Sequence, residues 1–240
     1  MPSLISRTLA IAFLASISAC TTMHTGRVKD TTKTFTTVVV DAGHGGKDSG
    51  TYRRYGPAEK IVALDVAQRL ERKLRESQLK TVMTRSSDVF IPLDQRVAIE
   101  NSQKNAIFVS IHFNDSRKRG IRGFETYYHS GPASELAHRI QSKLMTIPRS
   151  GDRGVRTANF RVLRMANYPA VLVECGFLSN RSDGKQARDW EYRELLADRI
   201  AEAIVEQRYG VGVYQPTGRL ALQLQSASSG PGLAPDTLRQ

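Results

Sequence analysis

Four side chains in this sequence are of the types that hold and serve a hydrolytic metal. His44 stands in Val38-Val39-Val40-Asp41-Ala42-Gly43-His44-Gly45-Gly46, Glu59 in Gly56-Pro57-Ala58-Glu59-Lys60, and His112 in Phe108-Val109-Ser110-Ile111-His112-Phe113-Asn114. Glu174 ends the run Val171-Leu172-Val173-Glu174. Two imidazoles and one carboxylate are a ligand set of catalytic zinc, whose fourth position stays open for water. A further carboxylate is then available as the general base. His44, His112 and Glu174 each follow β-branched and apolar residues, which places them at the C-terminal ends of buried strands. In open α/β sheets that edge binds ligands. Glu59 follows Pro57 at a helix start, where proline suits the first turn and the dipole favours a carboxylate. Spacing alone leaves the third ligand open, because Asp41 and Asp48 compete with Glu59. Glu59 is preferred for its place on a helix packed behind the first strand.

Other readings of these residues are weaker. Gly43-His44-Gly45-Gly46 resembles a phosphate cradle but lacks the Lys-Ser/Thr ending of a P-loop. Glu174 read as a buried acid paired with an arginine needs a partner, since burying a lone carboxylate costs several kcal/mol. His24 lies in a polar segment, and His129 and His138 lie near or on a surface helix, so none of them is expected to bind metal. Cys175 sits inside an apolar run and reads as a buried, inert thiol rather than a nucleophile.

The elements that must position the four residues alternate between strand and helix. Strands are expected at 37–41, 79–84, 106–111, 123–128, 160–165 and 170–173, and helices at 57–77, 92–103, 133–145 and 191–209. In the first helix Ile61, Leu64, Ala67, Leu70 and Leu74 would share one face. The alternation predicts a single α/β domain over 37–211, with a mostly parallel or mixed central sheet flanked by helices. A Gln-, Ser-, Gly- and Pro-rich tail follows at 212–240.

The flanks and the charge bear on location. Residues 1–19 carry Arg7 ahead of an apolar stretch too short to span a bilayer, the pattern of a secretory signal. Ile17-Ser18-Ala19-Cys20 resembles a bacterial lipobox, so Cys20 is expected to carry lipid, with 20–36 as a polar tether. With Cys20 acylated, Cys175 has no disulfide partner among the two cysteines. The formal charge of +12 calls for acidic partners. Export argues against nucleic acid and for an anionic wall or acidic lipid. Arg117-Lys118-Arg119 and Arg122 form one of the basic clusters.

Taken together, the segments Val39-Val40-Asp41-Ala42-Gly43-His44-Gly45-Gly46-Lys47-Asp48-Ser49-Gly50, Thr84-Arg85, Ser110-Ile111-His112, Asp152-Arg153-Gly154-Val155 and Val173-Glu174-Cys175-Gly176-Phe177-Leu178-Ser179-Asn180, with the Glu59 segment, resemble the zinc-dependent N-acetylmuramoyl-L-alanine amidases of the type 3 amidase family. The resemblance runs from about 38 to 209. It implies one zinc per chain on His44, Glu59 and His112, with Glu174 as catalytic acid/base. It also implies cleavage of the amide between the lactyl group of N-acetylmuramic acid and the L-alanine of the stem peptide. The expected partners are peptidoglycan and, through Cys20, a membrane, and the chain is expected to act as a monomer in the envelope. Cys175 departs from a usually aliphatic position. The short stretch from 113 to 124 shows no inhibitory helix, so an open site is expected. An exported zinc carboxypeptidase or endopeptidase on the same peptides is the alternative activity, and a wall-binding module the non-enzymatic one.

Overall fold

The structure, a computed structural model, describes residues 28–52, 55–118 and 120–216. The signal, the lipobox at Cys20, His24 and the tail beyond 216 lie outside the described residues. Six strands form one sheet in the order β2-β1-β3-β6-β4-β5. They are β1 (Thr37–Ala42), β2 (Lys80–Met83), β3 (Ala106–Asn114), β4 (Phe124–Tyr128), β5 (Asp152–Thr157) and β6 (Ala170–Phe177). Strands β2, β1, β3 and β6 run parallel, β4 pairs antiparallel with β6, and β5 runs parallel with β4. The helices are α1 (Glu59–Glu76), α2 (Leu93–Asn101), α3 (Ser134–Leu144), α4 (Arg161–Arg164), α5 (Arg181–Gln186) and α6 (Trp190–Tyr209). The α/β expectation holds.

Side chains alternate across each strand, and the alternation divides the sheet into two unlike faces. Val38, Val40, Ile107, Val109, Ile111, Phe113, Phe124, Val171 and Val173 face one side, where they pack with Val62, Val66 and Leu70 of α1, Leu136 and Ile140 of α3, and Leu196, Ile200 and Ile204 of α6. The other face carries Val39, Phe108, Ala170 and Leu172 under Val162 and Leu163 of α4, with Val97 and Ile99 of α2 against them. Asp41, Ser110, His112, Glu174 and Glu125 share this second face by strand parity. Where α1 meets α6, buried Lys73 pairs with Glu194 at 2.8 Å and Asp198 at 3.3 Å. The ammonium is thereby compensated, as a buried charge must be.

Several expectations need correction. Residues 160–165 form the one-turn helix α4 after Phe160, not a strand; Phe-Arg-Val-Leu-Arg-Met alternates for too few residues to separate the two periods. Strand β5 and helix α5 were not expected, because neither carries an apolar period: β5 is a polar edge strand and α5 reads Arg-Ser-Asp-Gly-Lys-Gln. The buried face of α1 is Val62, Ala63, Val66, Ala67, Leu70 and Leu74, while Ile61 is 56% exposed. Pro57 precedes the helix, whose N-cap is Ala58. The domain also exceeds 37–211 at both ends. Thr31 donates from Oγ1 to the Ala106 carbonyl at 2.5 Å and Phe35 is fully buried, so 28–36 is docked rather than a free tether. Tyr214 likewise donates to Asp198 at 2.8 Å.

Candidate metal-hydrolase site

The loop after β1 is a tight reversal in which Gly45 and Asp48 exchange backbone hydrogen bonds of 2.9 and 3.1 Å. His44 takes φ +58° and Gly46 φ +56°, a region that L-residues other than Asn and Asp visit at a cost. At Gly45 a Cβ would stand 2.2 Å from the Val89 carbonyl oxygen, and at Gly43 2.4 Å from the His112 ring. Gly43 therefore lets the imidazole of β3 lie against the loop that carries His44.

Two buried arginines hold that loop by its carbonyls. Arg96 of α2 donates to Ala42 O at 2.7 Å and His44 O at 2.6 Å, and its Nη1 pairs with Asp41 at 2.6 Å. Arg85, after β2, donates to Ala42 O at 2.9 Å and Gly43 O at 2.7 Å. Burial opposes the charge on Asp41, but Arg96, Ser110 and Thr84 outweigh it and keep its carboxyl below the ordinary value. Asp41 is thus committed to the support and is not drawn into the ligand cluster.

Glu59 opens α1. Its backbone N–H donates to Thr51 O at 2.8 Å and that of Lys60 to Ser49 O at 3.2 Å, so the helix's free N–H groups fasten its start to the glycine-rich loop. The Glu59 carboxylate accepts from Thr51 N at 2.8 Å and Phe113 N at 3.0 Å. His44 Nε2 and His112 Nδ1 both reach its Oε1, at 3.1 and 2.8 Å. One ligand atom from each of the three residues lies within 4.8 Å of the others. Burial raises the Glu59 pKa, yet hydrogen bonds from both imidazoles overcome it and the carboxyl stays strongly acidic. Asp48 Oδ2 lies 2.9 Å from His44 Nδ1, the kind of outer partner that fixes the orientation of a ligating imidazole. So Asp48, a rival for the third position, orients a neighbour instead.

Glu174 is the register partner of His112 across β3 and β6, and of Glu125 across β6 and β4. Both positions lie within their strands rather than at the ends, since β3 and β6 continue to Asn114 and Phe177. Glu174 Oε2 is buried with no hydrogen-bond partner among the described residues. Burial, then the charges of Glu59 and Glu125, push its carboxyl well above the ordinary value. Among the described residues no arginine pairs with it, so the structural ion-pair reading finds no partner there. Cys175 points to the opposite, helix-covered face and is buried and free, with burial raising its thiol pKa. His129 and His138 are exposed and away from the cluster.

A cavity of about 570 Å³ opens over His44, His112 and Glu174, walled by Phe90, Ile91, Leu93, Phe160 and Val162. The helix α3 packs on the other face of the sheet, so it does not cover this cavity. Sequence reasoning left Arg85 without a role although Thr84-Arg85 stood out, and it passed over Arg96 and Glu125. A charged residue on a short helix or strand gives no sign of burial until the chain is folded.

An open α/β sheet with two imidazoles and two carboxylates gathered at one cleft defines the class of metal-dependent hydrolases. Residues 38–206 match the N-acetylmuramoyl-L-alanine amidase family (Amidase_3). The chain is 40% identical over 172 residues to the uncharacterised protein YqiI of Bacillus subtilis, covering 70% of this chain and 82% of that protein. It is 38% identical over 173 residues to the N-acetylmuramoyl-L-alanine amidase LytC of Bacillus subtilis, covering 70% of this chain but 35% of LytC. The catalytic domain of CwlV, an N-acetylmuramoyl-L-alanine amidase from Bacillus (Paenibacillus) polymyxa var. colistinus, superposes with a TM-score of 0.68 at 37% identity, over 72% of this chain and 97% of that domain. The chain belongs to the N-acetylmuramoyl-L-alanine amidase family, and its activity is that of a peptidoglycan amidase.

Proposed function

We propose that His44, Glu59 and His112 hold one zinc ion and that Glu174 is the proton carrier in hydrolysis of the amide between the muramic acid lactyl group and L-alanine. The observation that carries this reading is the convergence of His44 Nε2 and His112 Nδ1 on Glu59 Oε1, beside a buried carboxylate whose Oε2 has no partner. Two neutral imidazoles and a carboxylate held this rigidly suit zinc. When bound, zinc supplies Lewis acidity for the amide carbonyl and for water. The chain's own residues do the rest. Glu174, neighbouring His112 across the strands, takes a proton from the attacking water. It delivers that proton to the nitrogen of L-alanine as the C–N bond breaks, leaving a lactyl carboxylate and a free amine. Arg85 and Arg96 fix the His44 loop by its carbonyls, and Asp48 fixes the His44 ring.

The same reading places the protein in the cell envelope, with 1–19 as a signal and Cys20 as a lipid-bearing residue. No helix among the described residues is long and apolar enough to cross a membrane, so an anchor of this kind would supply the attachment. Mass spectrometry of isolated peptidoglycan digested with and without a chelator tests the proposal. The expected products are intact stem peptides with free N-terminal alanine and peptide-free glycan, both lost with the chelator. Stem peptides cut internally would instead identify a carboxypeptidase or endopeptidase.

A further inference from the structure

The Asp152-Arg153-Gly154-Val155 segment has no part in the chemistry above, yet it lies beside it. Phe124 pairs with Asp152 and Thr126 with Val155, so β5 has one residue more than β4 across this interval. Such a bulge re-aims side chains, and Gly154 at φ +79° accommodates it. In a regular strand residues three apart point to opposite faces. Here Arg153 and Arg156 both reach Glu125, with Arg153 Nε 3.4 Å from Oε2 and Arg156 Nε 2.9 Å from Oε1. Arg153 also lies over the Phe177 ring, 5.2 Å from its centre.

One buried carboxylate shared by two guanidiniums leaves a net positive charge. The Arg156 side chain is 55% exposed, and its ion pair to Glu125 is made through Nε. This cationic pair sits in register with the site: His112, Glu174 and Glu125 form one row across β3, β6 and β4. At roughly 4.8 Å per strand the guanidiniums stand on the order of 10 Å from His112 along that row. Counted from Glu174, one strand nearer, the Glu125 row is roughly 4.8 Å away, a span of about one to two residues of extended peptide.

The direction of proton delivery orients the substrate. Glu174 must hand its proton to the L-alanine nitrogen, so the stem peptide begins at Glu174, and the row continues from there toward Arg153 and Arg156. On the other side the cavity wall is apolar, formed by Phe90, Ile91 and Leu93, and suits the uncharged sugar. The next charged group along a stem peptide is the free α-carboxylate of its γ-linked second residue. We propose that Arg156, held with Arg153 on Glu125, binds this carboxylate and makes the site selective for stem peptides that carry it. The inference rests on the assignment of Glu174 made above.

The test uses the full chain with zinc and two soluble muramoyl peptides, one with the second-residue α-carboxylate free and one with it amidated. The ratio of kcat/KM for the acid over the amide is the readout. Wild type is expected to favour the acid about tenfold, as a charge-assisted hydrogen bond would give. Arg156→Ala should bring the ratio close to one, chiefly through KM, and Arg156→Lys should retain part of the preference. Equal loss on both substrates would mean that Arg156 only neutralises Glu125, and would overturn the proposal. So would a wild-type ratio of one. If wild type cleaved neither peptide, the proposed function itself would fail, and the carboxylate site with it.

Discussion

The two faces of the central sheet come from the same strands and are finished in opposite ways. On the face under α1, α3 and α6, the residues of β1, β3 and β6 are apolar along their length and meet three long helices. On the face under α2 and α4, the apolar residues stop at Phe108 and Leu172, and Ser110, His112, Glu174 and Glu125 follow. The short helices cover only the first part. One face therefore maximises burial, and the other gives up burial where chemistry needs polar groups and access. Glu174 shows the cost most clearly, since a partly unpartnered buried carboxylate destabilises the fold that holds it.

This contrast can be broken on either face. The largest effect is expected at the open one: Glu174→Gln should lower kcat by ~10²–10⁴ while raising the thermal midpoint, because it removes a buried carboxyl whose ionisation burial and Glu59 oppose. Steady-state assays paired with thermal melts check both signs, and a variant both slow and less stable would contradict them. On the covered face, Ile140→Ala in α3 should destabilise by about 2–5 kcal/mol. Activity per folded molecule should stay unchanged, as denaturant titration alongside the assay would reveal.

A smaller effect concerns Glu100, fully buried on α2 and without an ion pair among the described residues. Burial, with Asp41 nearby, pushes its carboxyl up to about 9 from an ordinary 4.5. Below 4.5 both folded and unfolded chains are protonated there. Between 4.5 and 9 only the unfolded chain releases the proton, so this group lowers stability as pH rises. Glu100→Gln should therefore raise the thermal midpoint more at pH ~8 than at pH ~5, and equal shifts at both would argue otherwise. The smallest effect is expected at Ile61, 56% exposed. Ile61→Gln should stay within about 0.5 kcal/mol of wild type, whereas a core position would lose several times that.

The legibility of the two faces in the sequence differs for the same reason. Strands of the covered face carry apolar runs, so β1, β3 and β6 were readable, as were the histidines and Glu174 that follow or interrupt those runs. In α1 the expected face held at Ala67, Leu70 and Leu74 and failed at Ile61, because Ile61 and Val62 are adjacent and either can start an apolar stripe. The polar edge β5 and the turn α4 lie where period is absent or too short. Arg85 and Arg96 read as ordinary charged residues and Asp41 as a rival metal ligand, and only tertiary contact makes the three a buried frame for the His44 loop. The docked residues 28–36 look like linker because their contacts are backbone hydrogen bonds and single side chains such as Phe35.

The proposed division of labour at the site, three metal ligands and a separate proton carrier, is tested most directly by zinc content. Wild type, His112→Ala and Glu174→Gln would be purified in parallel and measured by elemental analysis. Wild type and Glu174→Gln should each hold about one zinc per chain, and His112→Ala should hold none and be inactive. Loss of zinc from Glu174→Gln, or full activity in metal-free His112→Ala, would contradict the assignment.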